Sequence, residues 1–314
     1  MIPTKNDVQA VDPVLTGILV GYMQADSRFV ASRAFPAVPV EKDSGTYYIL
    51  TKKYSFLDQV KRRAPGGVFE RAGYGVETAT YAVQLWGLEH PVPDENKANS
   101  QLPLDLERIG LSWLAQQSLI RKERAWAADF MAASVWDNTD NNSVTDWDDF
   151  TAGDPANDIQ TGLRTVSGNT GYLPNMLIVG EIVNQALMLH PDMIDRIKHV
   201  QAATAATMQV AIPGILGVEQ YLVAMGFYNS ANEAQSASYS AIIDDDALLI
   251  YSNPGAGVMG ATAGKTFSWA GGGGTGSIVT YRDQSVKSDI LQLSEAWDQK
   301  VVAADLGYIW LDVV

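Results

Sequence analysis

A mixed α+β fold is predicted by three stretches of this 314-residue chain. Residues 172–200 read as a strand followed by two helices. Residues 103–134 carry a helical period interrupted only by Gly110. Residues 46–89 and 281–314 are rich in the β-branched and aromatic residues that favour strands.

Taken from the start, residues 1–45 read as an extended arm punctuated by prolines 3, 13, 36 and 39. Asp12-Pro13 has the N-cap and first-turn chemistry of a short helix through VLTGILVGYM. AFPAVPVEKDSG reads as extended chain, because Pro36 and Pro39 bias the residues before them away from helix. Residues 46–89 predict a long hairpin, with arms at Thr46–Thr51 and Thr78–Leu85, the latter followed by Trp86. The stretch between the arms holds Lys52, Lys53, Lys61, Arg62, Arg63 and Arg71, six of the chain's 22 basic residues.

The helix over 103–134, with Asp105 as a candidate cap, places Leu106, Ile109, Trp113, Ile120, Ala127 and Phe130 near one stripe. About 30 residues at ~1.5 Å each give a rod of roughly 45 Å, long enough to be the spine of a sheet. Residues 136–158 hold aspartates 137, 140, 146, 148, 149, 154 and 158 with no Lys or Arg, and read as an acidic surface loop. In 172–200, Met176–Val179 is a buried strand ended by Gly180. Ile182, Val183, Ala186, Leu187 and Leu189 form a helical face, Pro191 stops that helix, and a short amphipathic turn with Met193, Ile194 and Ile197 follows. Gly217–Phe227 and Ala247–Tyr251 read as strands, Asp244-Asp245-Asp246 as a turn, and AGGGGTGS (270–277) as a flexible tip between TFSW and SIVTY. The tail is strand-like from SDILQL to KVVAADLGYIWLDVV, and no internal repeat is visible.

Composition narrows the function. With 46% hydrophobic and 18% charged residues the chain can bury a large core. A net charge of −14 repels nucleic acid and anionic lipid, which argues against a sequence-reading DNA binder. There is no cysteine, so disulfides, thiolate nucleophiles and cysteine metal sites are excluded. The N-terminus lacks the pattern of a signal peptide, and no window nears ~18 uninterrupted apolar residues, so no membrane span is expected. The expected place of synthesis is a cytoplasm.

No motif for catalysis survives inspection. Gly264-Lys265-Thr266 has Met259 where a phosphate loop needs glycine and no helix former after it, so a hairpin turn is the expectation. The aspartate loop fits no calcium-loop register, since Asn142 stands where glycine is required. Gly110-Leu111-Ser112-Trp113-Leu114 lacks the second glycine of a nucleophile elbow. His90, His190 and His199 form no pair with zinc-ligand spacing. Trp113, Trp126, Trp269 and Trp310 lie in helix or strand patterns and read as core or interface. The expectation is no enzyme activity, no cofactor and no metal. What remains is an arm, a basic hairpin, a spine, an acidic loop and a glycine-tipped sheet. Such parts bury their faces on other subunits.

The phrase LPNMLIVGEIV…L…HPDMIDRIK, the order of these parts and the ending VTYRDQSVKSDILQLSEAWDQKVVAADLGYIWLDVV resemble the major capsid proteins of tailed bacteriophages. The resemblance covers nearly the whole chain, though no short motif in it is diagnostic alone. It implies the Hong Kong 97 capsid fold: an N-terminal arm at 1–45, an extended hairpin loop at 46–90, a peripheral domain from 91–170 and 281–314 with its spine helix at 103–134, and an axial domain at 171–280. It also implies self-assembly through hexamers and pentamers into a phage head that encloses double-stranded DNA with weak contact. The expected partners are a separate scaffolding protein, because 45 residues of arm leave no room for a built-in one, a portal protein and a possible decoration protein. The expected location is the virion capsid. No residue matches the family's lysine–asparagine cross-link. The alternatives are an encapsulin-like shell around enzyme cargo and an acidic enzyme of unknown reaction. The candidate interface residues are Lys61, Arg62, Arg63 and Arg71 at the hairpin tip, set against Asp146, Asp148 and Asp149 of a neighbour.

Overall fold

The computed structural model describes residues 27–50, 52, 56–99, 103–141, 145–197, 205–232, 235–255, 257 and 260–314. The expected helix at 14–23 and His199 lie outside them. Two five-stranded sheets organise the described chain. The first contains β1 (Ala37–Val40), β4 (Gln84–Pro93), β11 (Gly264–Trp269), β12 (Ser277–Asp283) and β13 (Ser288–Val301). The second has the order β5 (Asn138–Asn141), β14 (Gly307–Leu311), β10 (Ala247–Ile250), β6 (Met176–Gly180) and β7 (Gln220–Ala224). Two hairpins stand apart: β2 (Ser44–Leu50) with β3 (Val76–Ala82), and β8 (Phe227–Asn229) with β9 (Tyr239–Ala241).

The helices are α1 (Ala31–Ala34), α2 (Asp94–Asn99), α3 (Pro103–Phe130), α4 (Pro155–Thr170), α5 (Glu181–Leu189), α6 (Pro191–Ile197) and α7 (Ala205–Leu216). The spine, α3, has 28 residues, about 42 Å at the α-helical rise. It begins at Pro103, so Asp105 lies inside the helix rather than capping it. Its buried face also differs from the expected stripe. Leu111, Leu114, Ala115, Leu119, Trp126, Ala127 and Phe130 are buried, whereas Ile109 is 63% and Trp113 43% exposed. The reason is chemical. The buried face also carries Ser118, Lys122 and Glu123, and these polar residues hide the stripe from a hydropathy pattern.

The first sheet lies on that face. Leu291 and Leu293 of β13 pack with Leu111, Leu114 and Ala115, together with Ile278 and Val92. Further along, Glu295 of β13 accepts from Ser118 Oγ and, at 3.0 Å, from Trp297 Nε1. Gly110, the weak spot of the helix pattern, is where the His90 ring lies against the spine. A Cβ there would come within 2.5 Å of the imidazole Cδ2.

The ending that resembled capsid C-termini has a physical role. YRDQSVKSD is the hairpin between β12 and β13, turned at Lys287 with φ +46°. Arg282 and Asp289 are cross-strand partners bonded at 3.1 Å, and Arg282 also holds Asp94 of α2. Lys97 joins Asp289 at 2.5 Å and Glu107 at 2.6 Å, so four elements meet in one partly exposed ionic network. These partners hold the Asp289 carboxyl below its usual range, the Lys97 hydrogen bond first.

The second sheet has a strand buried on both faces, Met176–Gly180, as its continuous apolar run predicts. One side packs with Trp126, Phe130 and Trp136, the other with Trp147, Trp310 and the helices α4 to α7. In α5, Val183, Ala186 and Leu187 are buried, but Ile182 and Leu189 point outward. Helices α4 and α7 were not anticipated. The start of α4 carries the Asp-Pro signature, with Asp154 Oδ1 accepting from Asn157 N at 3.1 Å, and Gly171 ends it at φ +75°.

Two readings change. Gly264-Lys265-Thr266 is not a turn but the start of β11, with Lys265 buried and its Nζ donating to the Gly260 carbonyl at 3.0 Å. The 136–158 stretch is not a free loop: β5 pairs in parallel with β14, and Trp136 and Trp147 are buried. The sheets also draw strands from both sides of the positions 170/171 and 280/281. β5, α4 and β14 join the second sheet, and β11 joins the first. Pairing between strands so distant in sequence leaves no mark on local hydropathy.

Gly307 faces the Trp136 ring, where a Cβ would approach to 2.1 Å. Gly307→Ala is expected to cost about 1–3 kcal/mol in chemical denaturation, because the buried ring has no room to retreat.

Asp246 gives a pH prediction. Burial, with Asp245, Asp312 and Asp244 close by, pushes its carboxyl up to about 6. In the unfolded chain it titrates near ~3.9. Between those values the folded protein holds a proton that the unfolded chain has released. This group's contribution to stability is therefore highest below pH ~4 and falls as pH rises to about 6. Asp246→Asn should raise the melting temperature at pH 7 and leave it nearly unchanged at pH 4.

Candidate assembly surfaces

The hairpin of β2 and β3 projects the basic stretch. Its base is clamped by aromatic packing: Tyr81 stacks on Phe267 with centroids 4.6 Å apart, and Tyr47 lies at 5.3 Å from the same ring. Asp298 Oδ2 accepts from Ala82 N at 2.9 Å, and Lys52 pairs with Asp305 at 3.2 Å. Past this base, the described residues from 56 to 75 form no strand or helix. Six large apolar side chains are exposed there: Phe56, Leu57, Val60, Val68, Phe69 and Tyr74. Val60 is 91% and Val68 89% exposed, values unsuited to a chain that works alone.

The basic residues of this loop divide into two kinds. Lys61 pairs with Glu70 at 2.7 Å. Arg63 donates to the Gly67 carbonyl at 2.7 Å and lies 4.0 Å over the Phe69 ring. Both are spent holding the loop's own shape. Arg62 and Arg71 are exposed and form no ion pair with another described residue.

The acidic segment divides likewise. Asp149 Oδ1 accepts from Thr151 N at 2.9 Å and Ala152 N at 3.2 Å, which closes a turn. Asp158 Oδ2 accepts from Trp147 Nε1 at 3.1 Å, and burial raises its carboxyl above the usual range. Asp146 and Asp148 are exposed beside the buried Trp147. Among the described residues no ion pair joins the basic loop to these aspartates, so the structure does not bring the two sets together within one chain.

A further apolar surface, absent from the sequence expectations, runs along α3 and β4. Ile109, Trp113 and Leu88 are exposed, with His90 against Trp113 at 5.7 Å and Arg121 over Trp86 at 4.3 Å. The one sequence-level signal for it was that Ile109 and Trp113 are apolar at helical spacing. Both were placed on one stripe with Ala127 and Phe130, which are buried, whereas Ile109 and Trp113 face out. His190 is buried at the start of α6, where Nδ1 accepts from Asp192 N at 3.3 Å. It thereby caps the start of α6. Among the described residues, no three His, Asp or Glu side chains cluster as a metal site, and no helix is long and apolar enough to cross a membrane.

No family model matches the sequence. The major capsid protein of Burkholderia phage BcepMu is 24% identical over 194 residues, a match that spans 61% of this chain and 62% of that relative. A crystal structure of a phage-related protein from Bordetella bronchiseptica RB50 superposes with a TM-score of 0.74 at 23% identity, over 97% of this chain and 98% of that one. The capsid structure of the cyanophage P-SCSP1u gives a TM-score of 0.57 at 12% identity, over 88% and 86% of the two chains.

Replacing Val60 and Val68 with serine removes apolar surface that touches little of its own chain. Subunit stability is expected to stay within about 0.5 kcal/mol of the parent, while self-association measured by sedimentation velocity weakens.

Proposed function

From a chain with the Hong Kong 97-type fold of phage capsid subunits, similar in sequence to a phage major capsid protein, we propose a structural role: it is the building block of a phage head. The observation that carries this reading is the 56–75 loop, a projecting segment of exposed apolar and basic residues on a clamped base. Such a segment gains its burial from a neighbouring copy. Pairing through hexamers and pentamers closes such contacts into an icosahedral shell around double-stranded DNA. The net charge of −14 suits a container that holds DNA without gripping it. In this reading the first sheet with α3 is the peripheral domain and the second sheet with α4 to α7 the axial domain. A separate scaffolding protein, a portal and a decoration protein are its partners, and its place is the virion capsid after assembly in the host cytoplasm.

The charged surfaces refine the contact. We assign Arg62 and Arg71 of one copy to Asp146 and Asp148 of the next, since these four carry charge not spent within their own loops. Each exposed pair contributes only ~0.2–1 kcal/mol, but a shell repeats the pair at every subunit. Electron microscopy and sedimentation of the chain co-expressed with its scaffold should show closed particles. A chain that stays monomeric at every concentration ends the proposal. Arg62→Glu with Arg71→Glu should impair assembly of a folded subunit, and adding Asp146→Lys with Asp148→Lys should restore part of it. Failure of the rescue removes this pairing and leaves the shell reading to the particle assay.

A further inference from the structure

One buried carboxylate holds a distant strap. Glu123, in the last two turns of α3, is 1% exposed. Its Oε1 and Oε2 each accept from Val30 N at 3.0 Å, and Oε2 accepts from Ala31 N at 2.7 Å. These amides begin the four-residue helix α1, which has no side-chain cap of its own at Val30. The first amides of a helix have no carbonyl to meet within it. Here the missing acceptor comes from a residue 93 positions away.

The strap that α1 begins crosses the seam between the two sheets. On one side, the Arg28 carbonyl accepts from Met225 N at 3.1 Å, just past β7 of the second sheet. On the other, the Phe35 carbonyl accepts from Thr266 Oγ1 at 3.0 Å, and β1 pairs with β11 of the first sheet. Between them, Ser252 Oγ donates to the Ala34 carbonyl at 3.0 Å. Phe35 is inserted beside Trp126 and Phe130, at centroid distances of 5.7 and 4.7 Å, where Gly264 leaves room for the ring.

We propose that Glu123 is the positioning residue of a latch: its carboxylate holds residues 28–35 across the seam, and its loss frees that strap as a unit while both sheets stay folded. Latched, the strap ties the first sheet to the second. Unlatched, the connections 130–138, 250–264 and 301–307 still join the sheets, so the angle between them gains freedom. The latch is a property of the single subunit and stands whether or not the chain builds a shell.

Hydrogen exchange and trypsin cleavage of the intact chain test it. In the parent protein, the Val30 and Ala31 amides should exchange through an opening that leaves β13 amides protected. Exchange of 30 and 31 only together with β13 would overturn the latch. In Glu123→Ala, these two amides should exchange at least tenfold faster and the exposed Arg33 become a cleavage site, with β13 protection unchanged. Ser252→Ala, which removes one strap bond but no carboxylate, should leave Arg33 resistant. Equal resistance of Glu123→Ala and the parent at Arg33 contradicts the proposal. Should Glu123→Ala not fold, Glu123→Gln decides in its place. Its amide keeps one acceptor oxygen but turns a donor toward the second N–H, so exchange at 30 and 31 should rise by an intermediate factor. No rise overturns the latch.

Discussion

The contact between the spine helix and β13 is the constraint on which the other elements depend. β13 runs for 14 residues and takes partners from β4, β11 and β12. Its register therefore places the hairpin base, the His90 ring against Gly110, and the return into β14. Leucines dominate one end of the contact, and Ser118, Lys122 and Glu295 lie at the other. The polar end is costly unless satisfied, because a buried charge without partners loses its hydration. Burial lowers the Lys122 ammonium's pKa, while Glu295 and Glu123 oppose that shift. Satisfied polar groups specify one register where leucines alone would tolerate several.

That polar end also explains what was hard to read from the sequence. The strand at 176–180, the helix after it, the stop at Pro191 and the paired arms of the hairpin were legible, because each has a local cause: an apolar run, a period, a proline, a β-rich segment. The buried face of α3 was not legible, because it interleaves Ser118, Lys122 and Glu123 with leucines. Helix α4 was missed despite its Asp154-Pro155 start, because the surrounding aspartates read as loop. The make-up of the two sheets was not legible, because their strands come from distant parts of the chain.

The candidate interface was legible in composition but not in division of labour. A count of Lys61, Arg62, Arg63 and Arg71 treats four charges alike. The geometry separates Lys61 and Arg63, which shape the loop, from Arg62 and Arg71, which face outward. The same separation sets Asp149, committed to a turn, apart from Asp146 and Asp148. A charge already satisfied within its own loop offers less to a partner, so the useful part of a charged patch is smaller than its sequence count.

The long span of β13's partnerships also bears on how the chain is made. β4 ends at Pro93 and α3 at Phe130, yet the strand that covers both begins at Ser288. At ~5–20 residues per second, synthesis of the chain takes roughly 15–60 s. For most of that time the spine and β4 wait on the ribosome with their apolar faces uncovered. The strap at residues 28–35 and β1 after it wait nearly as long for β11. Each nascent chain is thus open to wrong partners, including its neighbours on the same message, until its last tenth emerges. Holding factors that bind apolar segments during that interval would raise the yield of folded subunit without altering its final stability.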